Sequence, residues 1–147
     1  MRTAVILAAL CVAYVAADHR HCPLMREMAA GVRKCVETTN PDKETKALVR
    51  HGEGFDDEKA NCFRACILNE AGLMENAAFN FPRMAELLKQ CGRWKSVAGD
   101  EMVEKLKSCQ EDAEASDNEC TVAGKYAECV NKLMPPHRRG QRGDEPE

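Results

Sequence analysis

The chain has 147 residues, nine cysteines and a net charge of −3, which is the size of one domain with a single core. Its mild acidity disfavours a nucleic-acid partner, because such a partner favours a basic face. Outside the N-terminus, no apolar stretch reaches the roughly 18 residues that a membrane-spanning helix needs, so we expect no membrane insertion.

The first 17 residues resemble a secretory signal peptide. Arg2 supplies the positive start, the apolar run Thr3–Val15 is too short to span a bilayer, and small residues precede the expected cleavage site. Cleavage would remove Cys11 and leave eight cysteines. An even number of cysteines in a secreted chain predicts disulfides and an extracellular location.

The remaining sequence has helical hydrophobic periodicity, and no segment alternates with a period of two. We therefore predict an all-α fold, a compact bundle of about six helices in a domain covering residues 18–134. The first five predicted helices cover about 22–38, Pro41 to about Arg50, Asp56 or Asp57 to Gly72, Pro82 to Gly92, and Asp100 through Cys109. The sixth begins at a capping box formed by Ser116 and Glu119 and ends at Pro135. Residues 73–80 are predicted to be a loop or single turn, and the polar tail 135–147 to be disordered.

Helix geometry restricts the cysteine pairings without choosing one. Cys62 and Cys66 are four residues apart on one predicted helix, where the side chains lie farther apart than a disulfide allows. Cys120 and Cys129 are about 13.5 Å apart along another helix, and Cys22 and Cys35 are excluded in the same way. Each disulfide must therefore join different helices, which leaves several pairings open.

Six cysteines follow the pattern Cys35-x26-Cys62-x3-Cys66-x42-Cys109-x10-Cys120-x8-Cys129. This spacing resembles that of insect odorant-binding proteins, and the resemblance extends over nearly the whole mature domain. It implies the disulfides Cys35–Cys66, Cys62–Cys120 and Cys109–Cys129. The pattern does not include Cys22 and Cys91, so we expect these two to pair and identify the chain as a member with two extra cysteines.

Residue patterns typical of enzymes and metal sites are missing from the sequence. It has no Gly-x-Ser-x-Gly, no His-Glu-x-x-His and no glycine-rich phosphate loop. The absence of Cys-x-x-Cys disfavours zinc, and the histidines lie near predicted helix ends or in loops. We therefore expect neither catalytic activity, nor a metal, nor a cofactor.

Periodicity alone favours an ordinary packed core, whereas the resemblance implies a central apolar cavity enclosed by helices 1, 4, 5 and 6. The expected function is then carriage of small hydrophobic molecules such as odorants, pheromones or lipid-like ligands. Tyr126 has two candidate roles, a hydrogen bond to a ligand oxygen or one to the backbone. The candidate wall residues are Met84, Leu87, Leu88, Met102, Leu106, Val122, Tyr126 and Val130, and the candidate rim or lid residues are Leu73, Met74, Phe79 and Phe81.

A second class of function is a secreted helical signalling or interaction protein. Such a protein would have a filled core and would act through an exposed apolar patch. The sequence also leaves open a membrane receptor or a second copy of the chain as a partner, and it does not choose between olfactory and other tissues.

Overall fold

A computed structural model describes residues 22–91 and 100–133. These residues form six helices and a short hairpin, which confirms the predicted all-α bundle. The predicted signal peptide 1–17 and tail 135–147 lie outside the described residues. The elements are α1 (Pro23–Thr39), α2 (Lys43–His51), α3 (Glu58–Glu70), β1 (Met74–Glu75), β2 (Ala78–Phe79), α4 (Phe81–Lys89), α5 (Asp100–Ala113) and α6 (Glu119–Leu133).

Aspartates fix the starts of two helices by accepting hydrogen bonds from amides that the first turn leaves free. Asp42 accepts from the amide of Thr45 at 2.7 Å, and Asp57 accepts from that of Ala60 at 2.7 Å. The predicted start of α2 at Pro41 is therefore slightly too early. Asn40 is instead the left-handed residue that ends α1, with φ 44°.

The predicted capping box at the start of α6 is wrong. Asn118 caps this helix, since its side-chain oxygen accepts from the amide of Thr121 at 3.0 Å. Ser116 accepts from the amide of Asn118 within the preceding turn. The carboxylate of Glu119 is directed elsewhere and bonds to Asn69 and to the hairpin.

Residues 73–80, predicted to be a loop or single turn, contain an antiparallel hairpin in which Met74 pairs with Phe79. Asn76 and Ala77 both have positive φ, as a two-residue type I′ turn requires. The sequence prediction missed this turn because its second position is alanine rather than glycine. Two carboxylates hold the hairpin from outside, since Glu119 accepts from the amide of Ala77 and Glu114 from that of Phe79.

Helix α3 is central, because it packs against α1, α2, α6 and β1. Glycines allow two of these approaches. A Cβ atom added to Gly31 of α1 would lie 2.8 Å from the carbonyl oxygen of Ile67, and one added to Gly124 of α6 would lie 2.5 Å from the side chain of Asn61. The backbones of α1 and α6 therefore contact α3 directly.

Four disulfides join these elements. Cys35–Cys66 links α1 to α3, Cys62–Cys120 links α3 to α6, and Cys109–Cys129 links α5 to α6. Cys22–Cys91 joins the residue before α1 to the segment that follows α4. The pairs coincide with those expected above. Among the described helices, none is both long and apolar enough to cross a membrane.

We predict that Asp57→Ala lowers the free energy of unfolding by about 1 kcal/mol, the usual cost of losing an N-cap side chain. Urea denaturation of the oxidised protein would measure the change. Asp56→Ala is the matched control, because Asp56 is the exposed neighbour and makes no cap. Equal losses in the two variants would contradict the assignment of the cap.

We also predict that Gly124→Ala destabilises the protein by about 1–3 kcal/mol, because the added methyl group overlaps Asn61. Helix propensity alone predicts the opposite sign, since alanine is favoured over glycine by about 1 kcal/mol. The melting temperature of Gly124→Ala should therefore fall, while that of the exposed control Lys125→Ala changes little. A rise for Gly124→Ala would show that the α3–α6 contact is looser than described.

Candidate functional site

A cavity of about 340 Å³ lies between α1, α2, α3 and α6. This volume is near the lower end of the range for small-molecule sites. Most of the lining side chains are apolar, so the cavity suits one small, mainly apolar molecule. The lining residues are Met28, Val49, Gly52, Phe55, Arg64, Ile67, Leu68, Ala123, Tyr126, Ala127, Val130 and Asn131.

Helical spacing brings the two longest walls to the cavity. On α3, Arg64, Ile67 and Leu68 lie three and four residues apart and so share one face. On α6, Ala123, Ala127 and Val130 follow the same spacing, and the small side chains of the two alanines leave space in front of that face. The contribution of α1 is Met28, whose flexible thioether can adapt to different apolar shapes.

Arg64 is the charged side chain in the cavity wall and is only 7% exposed. Its guanidinium donates to the backbone oxygen of Gly54 at 3.0 Å, to the side-chain oxygen of Asn61 at 2.7 Å, and to the backbone oxygen of Glu53. It also lies over the ring of Phe55, 4.9 Å from the ring centroid. These contacts hold the segment between α2 and α3 against α3.

The charge of Arg64 is balanced by dipoles rather than by a carboxylate. No ion pair among the described residues includes it. Burial lowers the pKa of Arg64, and the nearby negative charge of Asp57 partly opposes this effect. An arginine nevertheless stays protonated in proteins, so the cavity wall carries a buried positive charge.

Tyr126 lines the cavity, but its hydroxyl group is already bonded. The hydroxyl donates to the sulfur of Met84 at 3.2 Å, and the ring packs against Phe79 with 4.4 Å between ring centroids. Burial raises the pKa of Tyr126 above its ordinary value. This arrangement matches neither of the two expected hydrogen bonds, to a ligand or to the backbone.

The predicted wall and rim residues are mostly elsewhere in the described structure. Tyr126 and Val130 line the cavity between α1, α2, α3 and α6. Leu87 and Phe81 pack against the main core, and the side chain of Met102 lies outside the described residues. The others lie within the main core, namely Leu73, Met74, Phe79, Met84, Leu88, Leu106 and Val122.

The sequence prediction missed the contribution of α3 to the cavity. Arg64 is the one charged residue in the otherwise uncharged run Ala60–Leu68. A single charge in a mostly apolar helical segment could have indicated a polar group facing an interior site. Among the described residues, no group of three or more His, Cys, Asp or Glu side chains could hold a metal ion.

Most of the chain matches a known protein family. The model described as the PBP/GOBP family matches residues 21–132, which is most of the chain. No significant match is found among curated proteins or among solved structures. The matched range contains all eight cysteines of the four disulfides and all the residues that line the cavity.

We predict that the free energy of unfolding falls with pH above about 10 and that Tyr126→Phe reduces this fall. The hydroxyl ionises near its ordinary pKa of 10.0 in the unfolded chain, but burial raises this pKa in the folded protein. The unfolded state therefore loses its proton first, and stability decreases as the pH rises from the unfolded pKa to the folded pKa. Urea denaturation between pH 8 and 11 would measure the free energy of unfolding of the wild type and of Tyr126→Phe. An identical decrease with pH in the two proteins would contradict burial of the hydroxyl.

Proposed function

Because the chain belongs to the PBP/GOBP family, whose members are binding proteins, we propose that it is a secreted carrier of small hydrophobic molecules. The observation that carries this proposal is the cavity of about 340 Å³ with its mainly apolar lining. Such a protein binds its ligand without covalent chemistry, and we propose no catalytic activity for it.

The driving force would be removal of apolar ligand surface from water, worth about 25 cal/mol per Å² before the costs of association. The disulfides support this mechanism, because they join the helices around the space covalently. Cys35–Cys66 ties α1 to α3, and Cys62–Cys120 ties α3 to α6. Three of the four cavity-forming helices are thus linked in series, which favours a site that stays open without ligand.

The proposed location is extracellular. The disulfide density fits an oxidising compartment, and we propose that residues 1–17 are the signal peptide that directs the chain there. We further propose that residues 18–134 are the carrier domain, that 135–147 is a disordered tail, and that Cys22 and Cys91 make the chain a member with two extra cysteines. A receptor or a homodimer would be a further partner, and transport in olfaction is one setting for this function.

We predict that Ala127→Trp abolishes saturable binding of an apolar probe, because the larger side chain fills the space in front of α6. The mature, oxidised and delipidated protein would be titrated with N-phenylnaphthylamine, whose fluorescence rises in apolar sites. The wild type should bind about one probe per chain, and alcohols, esters or aldehydes should displace it.

Ala30→Trp is the matched control, because Ala30 is exposed on α1 and does not line the cavity. It should bind the probe as the wild type does. Undiminished binding by Ala127→Trp would place the ligand elsewhere, for example among the predicted wall residues of α4 and α5. No saturable binding by the wild type would reject the carrier proposal and favour the signalling or interaction protein.

A further inference from the structure

The wall of the cavity contains a buried guanidinium group that still has donors to offer. An arginine side chain has five N–H donors, and the three hydrogen bonds of Arg64 go to Gly54, Asn61 and Glu53. Two of these bonds are made by Nη1 and one by Nη2, so within residues 22–91 and 100–133 no acceptor is bonded to Nε or to the second hydrogen of Nη2. A carboxylate can accept from two such donors at once.

The acceptors that Arg64 already has are uncharged. Two are backbone carbonyl oxygens and one is an amide oxygen. Asp57 is the acidic residue that most affects Arg64, but its carboxylate caps α3 at Ala60, and no ion pair among the described residues joins it to Arg64. A buried charge without a charged partner is costly, so an anionic ligand group would gain an interaction that a neutral group cannot make.

Apart from the charged Arg64, the wall of the cavity is mostly apolar. Met28, Val49, Ile67 and Val130 present hydrocarbon or thioether surface. A ligand that satisfies both parts has one anionic end and an otherwise apolar body. A fully apolar ligand would leave the guanidinium donors unsatisfied, and a doubly charged ligand would bury a charge against hydrocarbon.

We propose that the cavity selects monocarboxylates with an aliphatic chain, whose carboxylate binds the guanidinium of Arg64 while the chain lies against the apolar wall. This inference rests on the proposed carrier function and assigns its ligand class. Arg64 thereby acts as a specificity-determining residue in addition to holding the segment between α2 and α3.

Acidic side chains nearby do not reverse this preference. Glu53, Asp56 and Glu128 line a neighbouring surface hollow, and the first two are exposed to water. Exposed charges are screened over about 8 Å at physiological ionic strength, whereas buried charges are screened much less. The buried charge of Arg64 is therefore screened less than the exposed charges of Glu53 and Asp56.

The test compares three ligands of equal chain length at about pH 8, where the acid is ionised. Dodecanoate, methyl dodecanoate and dodecanol would each displace N-phenylnaphthylamine from the wild type. We expect dodecanoate to bind at least about tenfold more tightly than the ester. A tenfold change in affinity corresponds to about 1.4 kcal/mol, which is no more than a hydrogen bond to a charged group contributes. In Arg64→Gln the ratio of the affinities for dodecanoate and its methyl ester should fall to less than about threefold. Because this ratio compares two ligands in the same protein, a general weakening of binding does not change it.

Arg50→Gln is the matched control, because it removes the same charge from an exposed position on α2. It should keep the wild-type preference for the acid, and an equal loss in the two variants would overturn the role of Arg64. Equal binding of the three ligands by the wild type would reject the inference and leave the carrier function intact. No binding of any ligand or of the probe would reject both.

A measurement on the wild type covers the case in which Arg64→Gln does not fold. Dodecanoate carrying ¹³C in its carboxyl group would be titrated with acid in its bound state and followed by NMR. Pairing with the guanidinium predicts that the pKa of the bound acid is lower than that of the free acid in the same buffer. A higher pKa would place the carboxyl group in an apolar environment and overturn the inference.

Discussion

The direct contact of α3 with its neighbours is the constraint on which the rest of the structure depends. Gly31 and Gly124 let the backbones of α1 and α6 approach α3 more closely than any side chain would permit. At the same helix pairs, Cys35–Cys66 and Cys62–Cys120 fix the contacts covalently. With both sides of α3 held in this way, the shape of the cavity beside it is determined by the covalently joined helices.

The same helix also organises the chain that precedes it. Arg64 and Asn61 extend from α3 to the backbone oxygens of residues 53–55, so the segment after α2 is fixed by side chains of the next helix. This arrangement places the charge of Arg64 in the interior, where its burial is energetically unfavourable. The polar group that shapes the segment is therefore also the group that gives the cavity its positive charge.

Much of the fold could be predicted from the sequence. Helix caps such as Asp57 depend only on neighbouring residues, and the spacing of the cysteines forms a pattern that can be compared with known families. The hairpin could not be predicted in this way. Its turn has alanine at the position where glycine is usual, and the amide of Ala77 is instead bonded to the distant Glu119. The site was harder still. Periodicity identifies which residues of α4 and α5 point inward, but it cannot distinguish a filled core from an open space. That distinction depends on small side chains such as Ala127, which leave room only because of the helices opposite them.

The positions of the disulfides also determine how the molecule would respond to a cut in its backbone. Cys22–Cys91 and Cys35–Cys66 lie within the segment 22–91, and Cys109–Cys129 lies within 100–133. Among the described residues, only Cys62–Cys120 connects the two segments. A protease that cleaved the chain once between residues 91 and 100 would leave two fragments joined by this single bond. They would migrate together on a non-reducing gel and separate on a reducing one.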